Sequence, residues 1–270
     1  MTSPPAAVLG AFGAAGRAVP LPGGQGRTWA AGNVVLKPAG LPAEVVWIAE
    51  VLASLPPSRR FRVPQPVPAS GGAWIVDGWE AWSLLPGEPD HRRWHEVLDV
   101  GTAFHQALAG LPRPAFLDDR QDPWTFGEQL AWGERSLDGS EAMSELLEPL
   151  ALARRPIALQ AQPVHGDLLG NVLFADELPP AVIDWPVYYR PPGWASAVVV
   201  VDALTWYGAP ASLLDRYAVP GEGAEEWDQL LLRAAAYRIA TNEGFRRQGD
   251  TVRESADSYR RVVELILARC

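Results

Sequence analysis

One predicted hairpin constrains the fold of this chain more than any other segment. Two apolar runs, residues 172–174 and 181–183, flank a polar segment that contains prolines. Short apolar runs on either side of such a turn are typical of a β-hairpin. Asp167 and Asn171 fall in the loop that enters the first strand, and Asp184 follows the second strand. The pattern therefore predicts two carboxylates and one amide at the same end of a small hairpin.

These three side chains suit one kind of chemistry. Carboxylate and amide oxygens are the hard ligands that Mg²⁺ prefers, and Mg²⁺ keeps several waters or phosphate oxygens in its shell. Phosphoryl transfer depends mainly on placing a metal-bound polyphosphate against an aligned hydroxyl group. The set of Asp167, Asn171 and Asp184 therefore predicts a loop that holds Mg²⁺ on a nucleotide and aligns an acceptor.

The motif resembles that of the aminoglycoside phosphotransferase and choline kinase-like family, which has the protein-kinase-like fold. That family has His-Gly-Asp, a few residues, Asn, an apolar strand and an Ile-Asp-Trp or Ile-Asp-Phe step. The corresponding residues are His165 to Asp167, Asn171, and Asp184 followed by Trp185. The resemblance implies that Asp167 is the catalytic base, that Asn171 and Asp184 bind the metal, and that His165 is a buried brace. The sequence is also similar to an actinobacterial group within this superfamily.

The catalytic loop departs from the family pattern at one point. The family usually has four residues between its Asp and its Asn, whereas only Leu168, Leu169 and Gly170 separate Asp167 from Asn171. Because the loop is shorter, Asp184 matches a metal ligand of the family better than Asn171 does. The shorter loop also leaves open a second reading, a nucleotide-binding pseudokinase that regulates or binds a partner.

A glycine-rich segment and a single lysine indicate a phosphate site. Lys37 is the only lysine, and all the other basic residues are arginine, which suggests a position that needs a compact ammonium group. Two predicted strands lead to it from a glycine-rich segment, and glycines let backbone N–H groups approach phosphates. The resemblance implies that Gly23, Gly24 and Gly26 cover the nucleotide and that Lys37 anchors its phosphates.

The next segment has the apolar spacing of a helix. Apolar residues recur at three- and four-residue steps between residues 42 and 52, with Pro42 at the start. In the family this helix carries a glutamate that pairs with the strand lysine. Glu44 matches that position best, and Glu50 is the fallback.

A second hairpin is predicted at Asp77-Gly78, which lies between two runs rich in aromatic and β-branched residues. Such a dipeptide supplies the positive φ angles of a tight turn. The resemblance implies that the end of the following strand is the hinge beside the adenine, so Trp82 and Leu84 are expected at the nucleotide site. Contacts there are expected to come mainly from the backbone.

The second part of the chain is mostly helical by its apolar periodicity. Predicted helices cover residues 91–111, 124–130, 141–154, 195–204, 222–245 and 251–267. Asp202 lies within an apolar helix, where a buried acid needs partners; the resemblance implies that it holds the backbone of the catalytic loop. The expected fold is therefore α+β and bilobal, protein-kinase-like. Residues 1–86 form an N-lobe with an antiparallel sheet and one main helix, and residues 87–270 a C-lobe with the catalytic hairpin.

Composition excludes several classes of protein. The formal net charge of −9 disfavours nucleic-acid binding. Cys270 is the only cysteine, which excludes a disulfide framework and points to a cytoplasmic protein. The first residues do not resemble a signal peptide. The longest apolar run, residues 197–201, is too short to span a membrane.

The sequence thus predicts a small-molecule kinase. It would transfer the γ-phosphate of ATP or GTP, with Mg²⁺, to a hydroxyl of an unidentified metabolite or aminoglycoside-like acceptor. The Walker-type phosphate loop is absent, and so is the activation segment of protein kinases. The sequence indicates neither the acceptor nor the oligomeric state.

Overall fold

The computed structural model describes residues 3–22, 26–138, 141–215, 223–249 and 255–270. Gly23 and Gly24, expected at the nucleotide, lie outside the described residues, as do the predicted starts of the last two helices. The chain divides into two compact units. The first unit comprises Met1–Glu88, Pro114–Asp118 and Leu173–Ile183. The second unit comprises Pro89–Arg113, Asp119–Val172 and Asp184–Cys270.

The first unit contains an antiparallel five-stranded sheet in the order β1-β2-β3-β5-β4. Its strands are β1 (Val19–Pro20), β2 (Trp29–Ala31), β3 (Val34–Pro38), β4 (Ile75–Val76) and β5 (Trp79–Ser83). Helices α1 (Ala6–Ala11) and α2 (Pro42–Ser54) belong to the same unit, together with a short 3₁₀ helix, Ala115–Asp118. The predicted antiparallel sheet with one main helix is therefore confirmed.

Local sequence explains the main features of this unit. Asp77 and Gly78 have φ angles of 48° and 75°, so both adopt the left-handed conformation that a tight β4–β5 turn requires. Helix α2 begins at Pro42, where the fixed φ of proline fits and its missing N–H has no partner to lose. Val8 of α1 and Leu36 of β3 are fully buried in one apolar cluster, so α1 packs on the sheet.

The hairpin predicted from residues 172–183 is present. Strands β8 (Val172–Ala175) and β9 (Leu178–Val182) form a sheet with β6 (Glu88–Pro89) in the order β6-β8-β9. The turn is shorter than expected, with Glu177 at a φ of 59°, because the prolines belong to the edge strand β9, where a missing N–H is tolerated.

Most of this hairpin groups with the first compact unit, and the predicted boundary between residues 86 and 87 stays a prediction. Arg62 provides the physical reason for this grouping. Its backbone N–H donates to the Pro180 carbonyl (2.7 Å), its backbone carbonyl accepts from the Val182 N–H (2.9 Å), and its Nε donates to the Pro179 carbonyl (2.7 Å).

The second unit is mostly helical, as predicted. Its helices are α3 (Trp94–Ala107), α4 (Pro123–Trp132), α5 (Ser144–Ala153), α6 (Pro192–Trp206), α7 (Ala224–Arg247) and α8 (Ala256–Leu267), with a 3₁₀ helix at Ala211–Asp215. Strand β7 (Gln162–His165) pairs antiparallel with β10 (Val187–Arg190), a pairing that sequence analysis did not predict. Among the described residues, no helix is both long and apolar enough to cross a membrane.

Helix α7 is the centre of the second unit, because nearly every side chain between Trp227 and Gly244 is buried. Helix α4 approaches it closely at Gly127. A Cβ atom on Gly127 would lie 2.4 Å from the Thr241 Oγ1 and 2.8 Å from the Tyr237 carbonyl oxygen. Backbone atoms cannot move aside easily, so the close packing of the two helices depends on glycine at this position.

Gly127→Ala is expected to destabilise the protein by roughly 1–3 kcal/mol through this overpacking, measured by urea denaturation. Gly10→Ala is the matched control, since Gly10 lies in α1 and a Cβ there would meet nothing within 4 Å. Alanine favours a helix interior by about 1 kcal/mol over glycine, so the control should be neutral or slightly stabilising. Equal stabilities of the two variants would contradict the described α4–α7 packing.

Candidate active site

The pairing of β7 with β10 positions the candidate site. Val187 is opposite His165 in the register. The alignment continues past the strand ends, where the Gly166 N–H donates to the Pro186 carbonyl (3.4 Å) and the Trp185 Nε1–H donates to the Val164 carbonyl (3.0 Å). The chain around residue 185 therefore runs beside the start of the loop of residues 166–171, which the sequence predicts to be catalytic.

His165 is completely buried and contacts the loop directly. Its Nδ1 accepts a hydrogen bond from the Asp167 backbone N–H at 3.1 Å. Its own backbone N–H donates to the Nε2 of His105 at 3.0 Å. These two hydrogen bonds hold the backbone that carries Asp167. They are the contacts expected of a residue that braces the loop.

His105 is a further buried contact of this segment, and it is not among the site residues that the sequence predicts. It lies in α3 and is 2% exposed. Burial, and next the nearby His165, lower the pKa of His105 to about 3. The ring is therefore neutral near pH 7, and its unprotonated Nε2 accepts from the His165 N–H. No local pattern indicates this contact, since the partners are 60 residues apart.

Asp167 combines fixed geometry with access to solvent. Its side chain is 43% exposed. Its Oδ1 accepts from the Nη2 of Arg238 at 2.6 Å, and its Oδ2 accepts from the Asn171 Nδ2 at 3.2 Å. A carboxylate held in this way can meet an incoming hydroxyl group with little reorganisation.

The short loop between Asp167 and Asn171 closes as a tight turn. The Asn171 backbone N–H donates to the Leu168 carbonyl at 2.9 Å, and Gly170 has a φ of 95°. Leu168 is buried against Gly101 of α3, where an added Cβ would come within 2.5 Å of the leucine Cδ1. The loop is thus anchored on both sides despite its length.

This turn directs the amide of Asn171 toward Asp167. Asn171 Nδ2 also donates to the Asp167 backbone carbonyl at 2.7 Å. Because the nitrogen is engaged, the oxygen of the amide points elsewhere, and it accepts no hydrogen bond from the described residues. An amide oxygen in this state has the donor chemistry of a Mg²⁺ ligand.

Asp184 follows the hairpin, is exposed, and has a φ of 48°. Left-handed backbone is uncommon for residues other than glycine, although aspartate and asparagine tolerate it better than most. Strained conformations of this kind often occur where a side chain must be aimed at a ligand. The carboxylate of Asp184 and the amide oxygen of Asn171 are both hard oxygen donors and fit a magnesium ion. Among the described residues, no group of three His, Cys, Asp or Glu side chains forms a metal site by itself.

Asp202 is buried in α6, with 1% exposure, and its carboxylate binds Arg238. The Nε of Arg238 donates to one carboxylate oxygen at 2.7 Å, and the Nη2 donates to the other. Burial raises the pKa of Asp202 to about 6, although the Arg238 charge opposes that shift. Among the described residues, Asp202 is therefore linked to the loop through Arg238 rather than through loop N–H groups.

In the first unit, Lys37 lies on β3 directly opposite Glu80 on β5. Its Nζ is 3.4 Å from the Glu80 Oε1, and the Glu80 side chain is 7% exposed. Glu80 is not among the site residues that the sequence predicts, although its place on a strand among aromatic residues is a signal for a paired acid. Glu44 lies in the first turn of α2 and is half-buried, whereas Glu50 is exposed. The pairing of Glu44 with Lys37 stays a prediction.

The other residues expected at the nucleotide also belong to the first unit. Gly26 has a φ of 67°, in the left-handed region that favours glycine. Trp82 is 8% exposed within β5. The Leu84 N–H donates to the Asn33 carbonyl at 2.8 Å. This N–H is already bonded, so a hinge contact at Leu84 would use its carbonyl oxygen.

Solved structures resemble the chain over most of its length. A choline kinase from Streptococcus pneumoniae has a TM-score of 0.63 at 11% identity, and the match covers 96% of both chains. A spectinomycin phosphotransferase in complex with ADP and spectinomycin has a TM-score of 0.56 at 14% identity, over 94% of this chain and 92% of that chain. An amicoumacin kinase in complex with AMP-PNP and Ca²⁺ has a TM-score of 0.58 at 15% identity, over 93% of this chain and 88% of that chain. No protein-family model and no curated protein sequence matches significantly.

These similarities define the class of the fold as protein-kinase-like. More particularly, it is the fold of the aminoglycoside phosphotransferase and choline kinase-like family, as the catalytic-loop motif indicated. The predicted fold class and the resemblance are confirmed at this level. The similarity to an actinobacterial group stays a prediction.

The neutral state of His105 gives a testable pH dependence. The unfolded chain binds a proton near pH 6.5, whereas the folded protein does so only near pH 3. The contribution of the neutral His105 ring to the free energy of unfolding is therefore complete above pH 6.5 and is lost as the pH falls. Between pH 7.5 and 5 the loss is about 2 kcal/mol. Asp202 contributes with the opposite sign, because its raised pKa favours the folded state at lower pH.

His105→Gln isolates the contribution of His105, since glutamine keeps an acceptor for the His165 N–H and does not titrate. We expect the free energy of unfolding to fall by about 2 kcal/mol less in this variant between pH 7.5 and 5. Urea denaturation at both pH values measures the difference, and the Asp202 contribution cancels. The same pH dependence in both proteins would show that His105 is not held neutral.

Proposed function

We propose that this protein is a small-molecule kinase that transfers the γ-phosphate of ATP or GTP to a hydroxyl group. The observation that carries the proposal is the state of Asp167, whose carboxylate is bound at both oxygens yet 43% exposed. The exposed Asp184 and the available amide oxygen of Asn171 lie on segments that the β7–β10 register brings alongside each other. The named acceptors of similar structures, choline, spectinomycin and amicoumacin, support a small acceptor.

Each residue has a defined role in this proposal. Asp167 accepts a hydrogen bond from the acceptor hydroxyl and orients it toward the phosphorus atom. Phosphoryl transfer has a loose transition state, so positioning contributes more than the basicity of the carboxylate. His165 and Asp202 support the loop, His165 directly and Asp202 through Arg238.

Lys37 neutralises charge on the phosphates, and Glu80 orients its ammonium group. Glu44 is proposed as a second carboxylate for this ammonium group. Asp184 and Asn171 would hold the Mg²⁺ ion, which supplies further charge neutralisation when bound. Gly26, with Gly23 and Gly24, covers the nucleotide, and Trp82 and Leu84 border the adenine. We further propose that the protein acts in the cytoplasm, and the net charge of −9 disfavours a nucleic-acid acceptor.

A non-catalytic nucleotide-binding domain is the second candidate. It is favoured by the short loop, in which only three residues separate Asp167 from Asn171. This pseudokinase would bind nucleotide without transferring phosphate. The two candidates therefore differ in turnover and agree on nucleotide binding.

Nucleotide binding is tested by thermal unfolding with and without Mg·ATP or Mg·GTP. A ligand at a hundredfold its Kd that binds only the folded state adds about 2.7 kcal/mol of stability. We expect this stabilisation in the wild type and its loss in Lys37→Ala. Arg17→Ala is the matched control, because it removes an exposed positive charge from the same unit. Equal stabilisation of both variants would remove Lys37 from the nucleotide site.

Metal-dependent turnover is tested with Asp184→Asn, which keeps the shape of the side chain and its tolerance of left-handed backbone. Loss of the carboxylate ligand should lower Mg·ATP consumption, with small hydroxyl compounds or water as acceptor, by about a hundredfold or more. Asp176→Asn is the control, since Asp176 is an exposed residue of the hairpin turn. Wild-type activity in Asp184→Asn would contradict the metal role. Nucleotide binding without consumption in the wild type would favour the pseudokinase.

A further inference from the structure

Arg238 is a charged residue in the middle of a buried helix. It lies in α7, is 7% exposed, and its neighbours Tyr237 and Ile239 are fully buried. Burial of a guanidinium group is costly unless charged partners and hydrogen bonds compensate it. The groups that bind Arg238 therefore indicate the role of this buried charge.

Those partners are two carboxylates on different segments. The guanidinium donates to the Asp202 carboxylate through Nε and Nη2, and the same Nη2 donates to the Oδ1 of Asp167 at 2.6 Å. The guanidinium carbon lies 5.1 Å from the ring centroid of Tyr237 and 5.6 Å from that of Trp206. A planar fork packed against two rings has one orientation, which a lysine ammonium could not reproduce.

The three side chains differ in their exposure to solvent. The Asp202 and Arg238 side chains are 2% and 8% exposed, whereas the Asp167 side chain is 43% exposed. The buried Asp202–Arg238 pair is therefore held in place, and the Asp167 carboxylate is the part of the group that reaches solvent. The Oδ1 of Asp167 is bound to Arg238, and its Oδ2 has only the longer contact of 3.2 Å with Asn171.

We propose that Arg238 is a positioning residue for the phosphoryl transfer. Asp202 orients the guanidinium, the guanidinium holds Oδ1 of Asp167, and Oδ2 is thereby aimed at the acceptor hydroxyl. Arg238 itself does not touch the acceptor or the nucleotide. Its role in the reaction rests on the proposed function, whereas its role in ordering the loop does not.

A purely structural role, in which the ion pair only holds α6 against α7, makes different predictions. Arg238→Met alone leaves the Asp202 carboxylate buried without a partner and can prevent folding. The double variant Arg238→Met/Asp202→Asn removes both charges and keeps the approximate side-chain volumes. Arg233→Met is the matched control, because Arg233 is also buried in α7 but binds Gln229 and the Arg155 carbonyl.

The first readout is Mg·ATP hydrolysis, with water as the acceptor. We expect the double variant to lower kcat by about tenfold or more and to leave KM for Mg·ATP within about twofold, because Arg238 acts only on the acceptor side. Arg233→Met should keep the wild-type kcat. A double variant that folds and hydrolyses Mg·ATP at the wild-type rate would overturn the inference.

The second readout is hydrogen exchange at the backbone N–H groups of Asp167 and Asn171, and it does not require an active enzyme. Both amides are bonded within the loop in the wild type, so loss of the guanidinium should speed their exchange by about tenfold or more. Arg233→Met should leave both rates unchanged. Unchanged exchange in the double variant overturns the inference whatever the hydrolysis rate. Absence of both hydrolysis and stabilisation by Mg·ATP in the wild type counts against the proposed function, and exchange then decides the inference alone.

Discussion

The antiparallel pairing of β7 with β10 is the constraint on which the candidate site depends. Four residues of each strand pair, with His165 opposite Val187. The pairing fixes where the loop of residues 166–171 leaves one strand and where the segment after Asp184 enters the other. The whole hairpin of β8 and β9 lies between these two points in sequence, so the chain can return to the same place with its second carboxylate.

Buried polar groups extend this constraint into the helices. His105 in α3 accepts from the backbone of β7, and Arg238 in α7 joins Asp202 in α6 to Asp167. Breaking a buried charge pair by removing one partner costs about 3–5 kcal/mol, whereas an exposed ion pair contributes about 0–1 kcal/mol. Removing one partner of the buried Arg238–Asp202 pair is therefore expected to cost more stability than breaking an exposed pair such as Arg260 with Glu145.

Sequence predicts the features of this fold that depend on neighbouring residues. The turn at Asp77 and Gly78, the start of α2 at Pro42 and the hairpin of β8 and β9 all follow from local preferences. The motif residues Asp167 and Asn171 likewise come together through a turn of five residues. Local signals of this kind need no knowledge of the tertiary structure.

Contacts that tertiary packing creates could not be predicted in the same way. Arg238 is 71 residues from Asp167, and His105 is 60 residues from His165. An arginine inside an otherwise buried helix indicates a buried partner, but the sequence does not say which carboxylate it meets. The assignment of the hairpin to the first unit likewise depends on Arg62, whose bonds to residues 179–182 have no local signature.

In the proposed function, Asn171 of the loop and Asp184 at the end of the hairpin together hold a metal–nucleotide complex. Electron paramagnetic resonance of Mn²⁺, used in place of Mg²⁺, measures the affinity for the metal directly at saturating AMP-PNP. We expect the wild-type complex to bind Mn²⁺ about tenfold or more tightly than the Asp184→Asn complex does, because the variant lacks a carboxylate ligand. Equal Mn²⁺ affinity in two proteins that both bind the nucleotide would contradict the metal role of Asp184.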